Sequence, residues 1–160
     1  MASTDVSGES AGGTESAQGV DMALEVVTLP VSDVDRAKSF YQSLGWRFDI
    51  DLVVSDDART VQFTPPHSPC SIQFGKGGTT AAPGSAQKTF LVVSDIDAAR
   101  DDLIGRGVDV SEVEEARPPA FDGPPEERSY FARASFSDPD GNTWVLQEIT
   151  TRLPGREWED

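Results

Sequence analysis

The sequence predicts an α+β fold of two tandem β-α-β-β-β modules, and three observations carry that prediction. The run Val93-Ser94-Asp95-Ile96-Asp97-Ala98-Ala99 repeats Val31-Ser32-Asp33-Val34-Asp35-Arg36-Ala37, and Gly107 repeats Gly45, all at one constant offset of 62 residues. An ungapped offset through strand end, helix cap, helix and terminal glycine marks an internal repeat. Around these anchors lie short apolar segments that read as strands. Finally, 160 residues with 37% hydrophobic content hold one ordinary domain, so any duplication must be of small modules.

Residues 1–21 begin as Ser, Gly, Thr, Ala and acidic residues with no aromatic, a composition that cannot bury enough surface to offset its ordering entropy; they are expected to form a disordered tail. The first module spans 22–75. In LEVVTLPV, Val27, Leu29 and Val31 share one face of an extended strand, while Val26, Thr28 and Pro30 share the other. An Asp then caps a short helix whose apolar stripe is Ala37, Phe40, Tyr41 and Leu44, and Gly45 stops it. Strands are expected over 47–54, 60–64 and 71–74. A linker rich in Gly, Thr, Ala and Pro covers 76–86, and the second module spans 87–150, with strands over 108–113, 130–137 and 143–149. The four-proline stretch 114–127 is a candidate rim loop, with Phe121, Tyr130 and Phe131 placed to close a site, and 151–160 form a C-terminal tail.

Composition excludes several classes of function. Thirteen basic against 28 acidic residues leave a charge of -15 with no basic run, so a nucleic-acid backbone would be repelled. A single cysteine, Cys70, makes no intramolecular disulfide or Cys-rich zinc site and fits a reducing compartment. The N-terminus lacks a signal-peptide pattern and no apolar run is long enough to span a bilayer, so the expected location is the cytoplasm, with no membrane partner. No dinucleotide fingerprint, P-loop or serine-hydrolase elbow is present, and no cofactor is expected. The lone histidine, His67, lies in the proline-rich run TPPHSPCS and reads as a surface turn residue, Cys70 as a small buried thiol, and Glu25 and Glu148 as edge or surface carboxylates.

With a paired β-α-β-β-β repeat, VSDxDxA at each helix start and SFSDPDGNTWVLQE near the end, residues 22–150 resemble the vicinal oxygen chelate superfamily. That group holds glyoxalases, extradiol dioxygenases, fosfomycin-modifying enzymes and bleomycin resistance proteins; the run through TTRLPGR is similar to bacterial glyoxalase-like members. The resemblance implies a cup-shaped mixed sheet with helices outside, a homodimer, and metal ligands near the start of each module's first strand and on its last strand. Those positions fall here on Val26, Gln73, Lys88 and Val145. One neutral amide, two aliphatic groups and a cation do not make a catalytic metal site, which needs three or more His, Asp, Glu or Cys donors. The expectation is that the metal site has been lost.

Strand alternation places Val26, Thr28, Gln62, Gln73, Phe90, Ser135, Val145 and Gln147 on the cup wall, with Tyr130 at its mouth; Lys88, expected at its centre, and Arg133 are its cations. An apolar wall with a few amide, hydroxyl and cationic groups suits a small organic ligand, aromatic or anionic. Binding without a metal is the first reading. Two others stay open: an isomerase, lyase or cyclase using Lys88 or Arg133 as acid/base groups, and a divalent-metal lyase or dioxygenase with non-standard ligands drawn from Gln73, Glu148, Glu25 or His67.

Overall fold

Asp33 and Asp95 start the two helices in the same way. Each is extended at its own backbone and accepts, through its carboxylate, the N–H three residues on, Arg36 N at 3.0 Å and Ala98 N at 3.0 Å. This satisfies one of the orphan donors of the first turn. In the computed structural model, which describes residues 18–119, 128–153 and 156, the chain runs β1 (Val26–Thr28), α1 (Val34–Ser43), β2 (Arg47–Ser55), β3 (Ala58–Thr64), β4 (Ser71–Lys76), then β5 (Thr89–Val93), α2 (Ile96–Gly105), β6 (Glu114–Glu115), β7 (Ala132–Ser137) and β8 (Thr143–Glu148).

The strands form two four-stranded sheets, ordered β1-β4-β3-β2 and β5-β8-β7-β6, so the repeat in sequence is a repeat in topology. The β1–β4 and β5–β8 pairs are parallel; the others are antiparallel. Most of the tail expected over 1–21, residues 1–17, lies outside the described residues, as do 120–127 of the expected rim loop, Phe121 included.

Alternation along the strands builds one core. Val61, Phe63, Ile72 and Phe74 turn toward α1, and Ala134, Phe136, Trp144 and Leu146 toward α2; all are buried and join in a single cluster with Ala37, Tyr41, Leu44, Trp46 and Leu103. The opposite faces of both sheets are left open, and Ile50, Leu52, Phe90 and Val92 remain exposed on them.

The segment 108–113, expected as a strand, is not one; only Glu114–Glu115 pairs regularly, with Arg133 and Ala132. Ser111 supplies the reason. Its N–H donates to the Ser135 carbonyl at 2.9 Å, but the returning bond goes from Ser135 N–H to the Ser111 hydroxyl at 2.9 Å, so a side chain replaces the backbone rung that would continue the ladder.

The modules are tied by the turn between β7 and β8. Tyr41 of α1 donates its buried hydroxyl to Asp138 at 2.9 Å and accepts from Trp144 Nε1 at 3.1 Å. Asn142 Nδ2 donates to the Pro30 carbonyl and to Asp138, both at 2.8 Å, and Ser32 donates from backbone and hydroxyl to Asp140. Burial, and then the Asp138 carboxylate, push the Tyr41 phenol well above its usual range. The linker closes on this knot at Gly84, whose φ is +79° and where an added Cβ would sit 2.0 Å from the Asp140 carbonyl. Only glycine fits both demands.

Candidate functional site

The open face of the first sheet carries Val26 and Thr28 from β1, Gln62 from β3 and Gln73 from β4. Register sets Thr28 beside Gln73 and Gln73 beside Gln62, and Gln73 Nε2 donates to Thr28 Oγ1 at 2.9 Å. Asp49 lies on this face at a register shift in β2 that also sets Ile50 opposite Gln62, and its carboxylate accepts from Thr64, from Gln62 at 3.3 Å and from Arg47 at 2.6 Å. Against the opposing pull of burial, those hydrogen bonds, Thr64's first, hold the Asp49 carboxyl below its usual range. Sequence reasoning did not single out Asp49: alternation continued from the Arg47–Thr64 and Phe48–Phe63 pairs puts it opposite Gln62, but nothing in the strand pattern marks it as a hydrogen-bonded carboxylate.

The open face of the second sheet carries Phe90, Arg133, Ser135, Val145 and Gln147. Register aligns Phe90 and Ser135 with Val145, and Arg133 with Gln147. The Arg133 guanidinium lies over the Phe90 ring, 5.4 Å from its centroid, a cation–π arrangement on an exposed wall. Gln147 Nε2 donates to the Tyr130 carbonyl at 2.9 Å, fixing Tyr130 at the entry to β7 with a left-handed φ of 70°.

Lys88 stands one residue before β5 with a φ of 57°, exposed, its N–H donating to Thr143 Oγ1 at 2.7 Å. It therefore sits at the end of the wall instead of its centre. There it borders a cavity of about 640 Å³ together with Ser135, Val145, Gln87 and Ser111. The structure thus sorts the expected site residues into two half-sites, four on the first sheet and the rest on or beside the second.

The donor set does not suit a metal. Of Val26, Gln73, Lys88 and Val145, only Gln73 has a neutral oxygen to offer, and among the described residues no three His, Cys, Asp or Glu side chains lie close enough to hold an ion. The alternative ligands are dispersed. Glu25 is exposed before β1, and His67 is exposed in the turn before β4 with a φ of 60°. Glu148, expected as an edge or surface carboxylate, is instead buried on the helix side, where it accepts from Ile96 N at 3.0 Å and pairs with Arg128 at 3.3 Å. Its alternation was legible; its work as an anionic cap at the start of α2 was not. Cys70 is half-buried, its Sγ 3.5 Å from the Ser71 carbonyl.

Two open four-stranded faces, each backed by one helix and built by one duplicated unit, define a class of protein. The model of the Glyoxalase/Bleomycin resistance protein/Dioxygenase superfamily matches residues 23–146, and the chain belongs to that superfamily. Among solved structures it is similar to TnmS3, an antibiotic binding protein from Streptomyces sp. CB03234, at 28% identity and a TM-score of 0.65, over 82% of this chain and 99% of that one. A glyoxalase/bleomycin resistance protein from the same organism matches at 29% identity and a TM-score of 0.60, over 78% and 99% of the two chains. A superfamily member from Sphaerobacter thermophilus DSM 20745 matches at 27% and 0.61, over 80% and 98%. No curated protein matches the chain. No helix among the described residues is long and apolar enough to cross a membrane.

Proposed function

We propose that the protein binds a small, largely apolar organic molecule carrying an anionic group, and does so without a metal. The observation that carries this reading is the exposed Arg133–Phe90 pair: a guanidinium held over a ring, on a wall continued by Val145 and Ser135, offers an aromatic anion both a face and a charge. Val26, Gln73, Lys88 and Val145 at the ligand positions support metal independence, and the likeness to an antibiotic binding protein supports the ligand class. Neither half-site encloses a ligand alone, and both open faces leave large apolar side chains in solvent. This supports a homodimer in which the first sheet of one copy and the second sheet of its partner complete a cup. The lone thiol supports a cytoplasmic setting.

The test uses 8-anilinonaphthalene-1-sulfonate, an anionic aromatic whose fluorescence reports binding. Saturable binding that survives EDTA is expected, and Arg133→Met, which keeps much of the stem and removes the charge, should weaken it about tenfold, or about 1.4 kcal/mol. Loss of binding in EDTA, or unchanged affinity in the Met variant, would overturn the reading. Lys88→Met, at the exposed end of the wall, should have the smaller effect. Sedimentation of the probe complex as a monomer would remove the dimeric cup while leaving the ligand class standing.

A further inference from the structure

The two modules meet at two related places, and only one of them is filled. Where the β7–β8 turn meets α1, the Tyr41 ring and the Trp144 indole occupy the space, 6.1 Å between centroids, with the Trp46 ring 5.5 Å from Tyr41. The repeat puts Leu103 of α2 at the position of Tyr41, and the turn before β4 presents Pro65 and Pro66. The ring that Tyr41 supplies at the filled place has no counterpart here. What remains there is a cavity of about 210 Å³ walled by Leu44, Trp46, Leu91, Leu103, Phe136 and Leu146.

We infer that this junction cavity is a second binding site, and that it takes a neutral aromatic molecule of one ring. Leu91, Phe136 and Leu146 are on the helix side of their strands, opposite Phe90, Ser135 and Val145, so the cavity lies mainly on the helix side of the second sheet, with Val92 of β5 also lining it. An enclosed apolar cavity of about 150 Å³ accepts benzene; this one is open to solvent on one side, but its larger volume has room for a single ring. Trp46 and Phe136 supply ring faces and edges to pack against. The single ionisable group among the lining residues is Asp102, already paired with Arg106 at 2.9 Å, and a carboxylate there disfavours an anionic guest.

Toluene titrated into the full chain, followed through the indole N–H resonance of Trp46 and the melting temperature, should give a saturable shift and a stabilised protein. Leu103→Phe fills the cavity as Tyr41 fills its counterpart, and Ala99→Leu fills it from one turn earlier on the same face of α2; each should weaken toluene binding about tenfold or more. Two variants guard against one that fails to fold. Benzoate, the same ring with a charge, should bind more weakly than toluene. The inference is overturned if toluene leaves the Trp46 resonance unmoved, if both filled variants bind it as the wild type does, or if benzoate binds as well. It is also overturned if binding is lost in Arg133→Met and kept in the filled variants, which would place toluene on the open face. The proposed anion site fails or stands on its own probe, independently of these results.

Discussion

One junction between the modules is knotted by hydrogen bonds and the other is a cleft, although a single repeated unit built both. At the knotted junction, Asp138 follows β7 directly and collects four donors: Tyr41 Oη, Asn142 Nδ2, and the backbone N–H groups of Asp140 and Asn142. At the other, Pro65 follows β3 directly and Leu103 stands for Tyr41, so the carboxylate and hydroxyl that make the knot have no counterparts at those two positions. Duplication supplied the architecture twice, and point differences at a few turn positions decided which contact locks and which stays open. A locked side fixes the angle between the modules; an open side leaves room for a guest.

That comparison breaks most sharply at Asp138. Asp138→Ala removes the acceptor of four donors in a buried setting, and leaving such groups unpaired should destabilise the protein by about 4 kcal/mol in denaturant unfolding. A loss below about 1 kcal/mol would mean that water reaches the knot and that the two junctions differ less than their geometry implies.

Tyr41→Phe is the next smaller step. It leaves Asp138 one donor short and Trp144 Nε1 without its acceptor, at an expected cost of about 2 kcal/mol. The same substitution sharpens the comparison through pH. The folded state raises the Tyr41 pKa, so the unfolded chain ionises first; the stability this tyrosine contributes is complete below the usual phenol value of 10.0 and falls as pH rises above it. Unfolding free energy measured from pH 8 to 11 should decline in the wild type, and part of that decline should vanish in Tyr41→Phe. An identical slope in the variant would assign the alkaline loss to other groups.

The knotted junction also shows what could be read before the structure. The repeat, the helix caps and the helix-facing residues were legible because each depends on periods of 2 or 3.6 residues and on local capping chemistry. Tyr41 and Trp144 were recognisable as core residues. That Tyr41 Oη would meet Asp138, 97 residues away, was not, since a turn sequence such as DPDGN specifies its own bend and not the helix it docks on. The candidate wall follows the same division. Phe90, Arg133, Ser135, Val145 and Gln147 share one face as alternation requires. Lys88 leaves the wall because its φ of 57° ends the strand, and no residue pattern announces a left-handed lysine.

The smallest expected effect lies in the two turns themselves. At the knotted junction the turn places Gly141 at a φ of 91°, a conformation that suits glycine; at the cleft the turn places His67 at 60°. A non-glycine residue in the left-handed region carries a cost of about 1 kcal/mol, so His67→Gly relieves strain. Glycine also enlarges the freedom of the unfolded chain by an opposing 0.5–1 kcal/mol or so. With an exposed side chain that makes no contact resembling those of Asp140, the two terms should nearly cancel, leaving stability within about 0.5 kcal/mol of wild type in a denaturant titration. A loss above about 1 kcal/mol would show that the imidazole anchors this turn after all. The cleft would then count as a second locked junction, held by a different group, and the contrast between the two junctions would have to be redrawn.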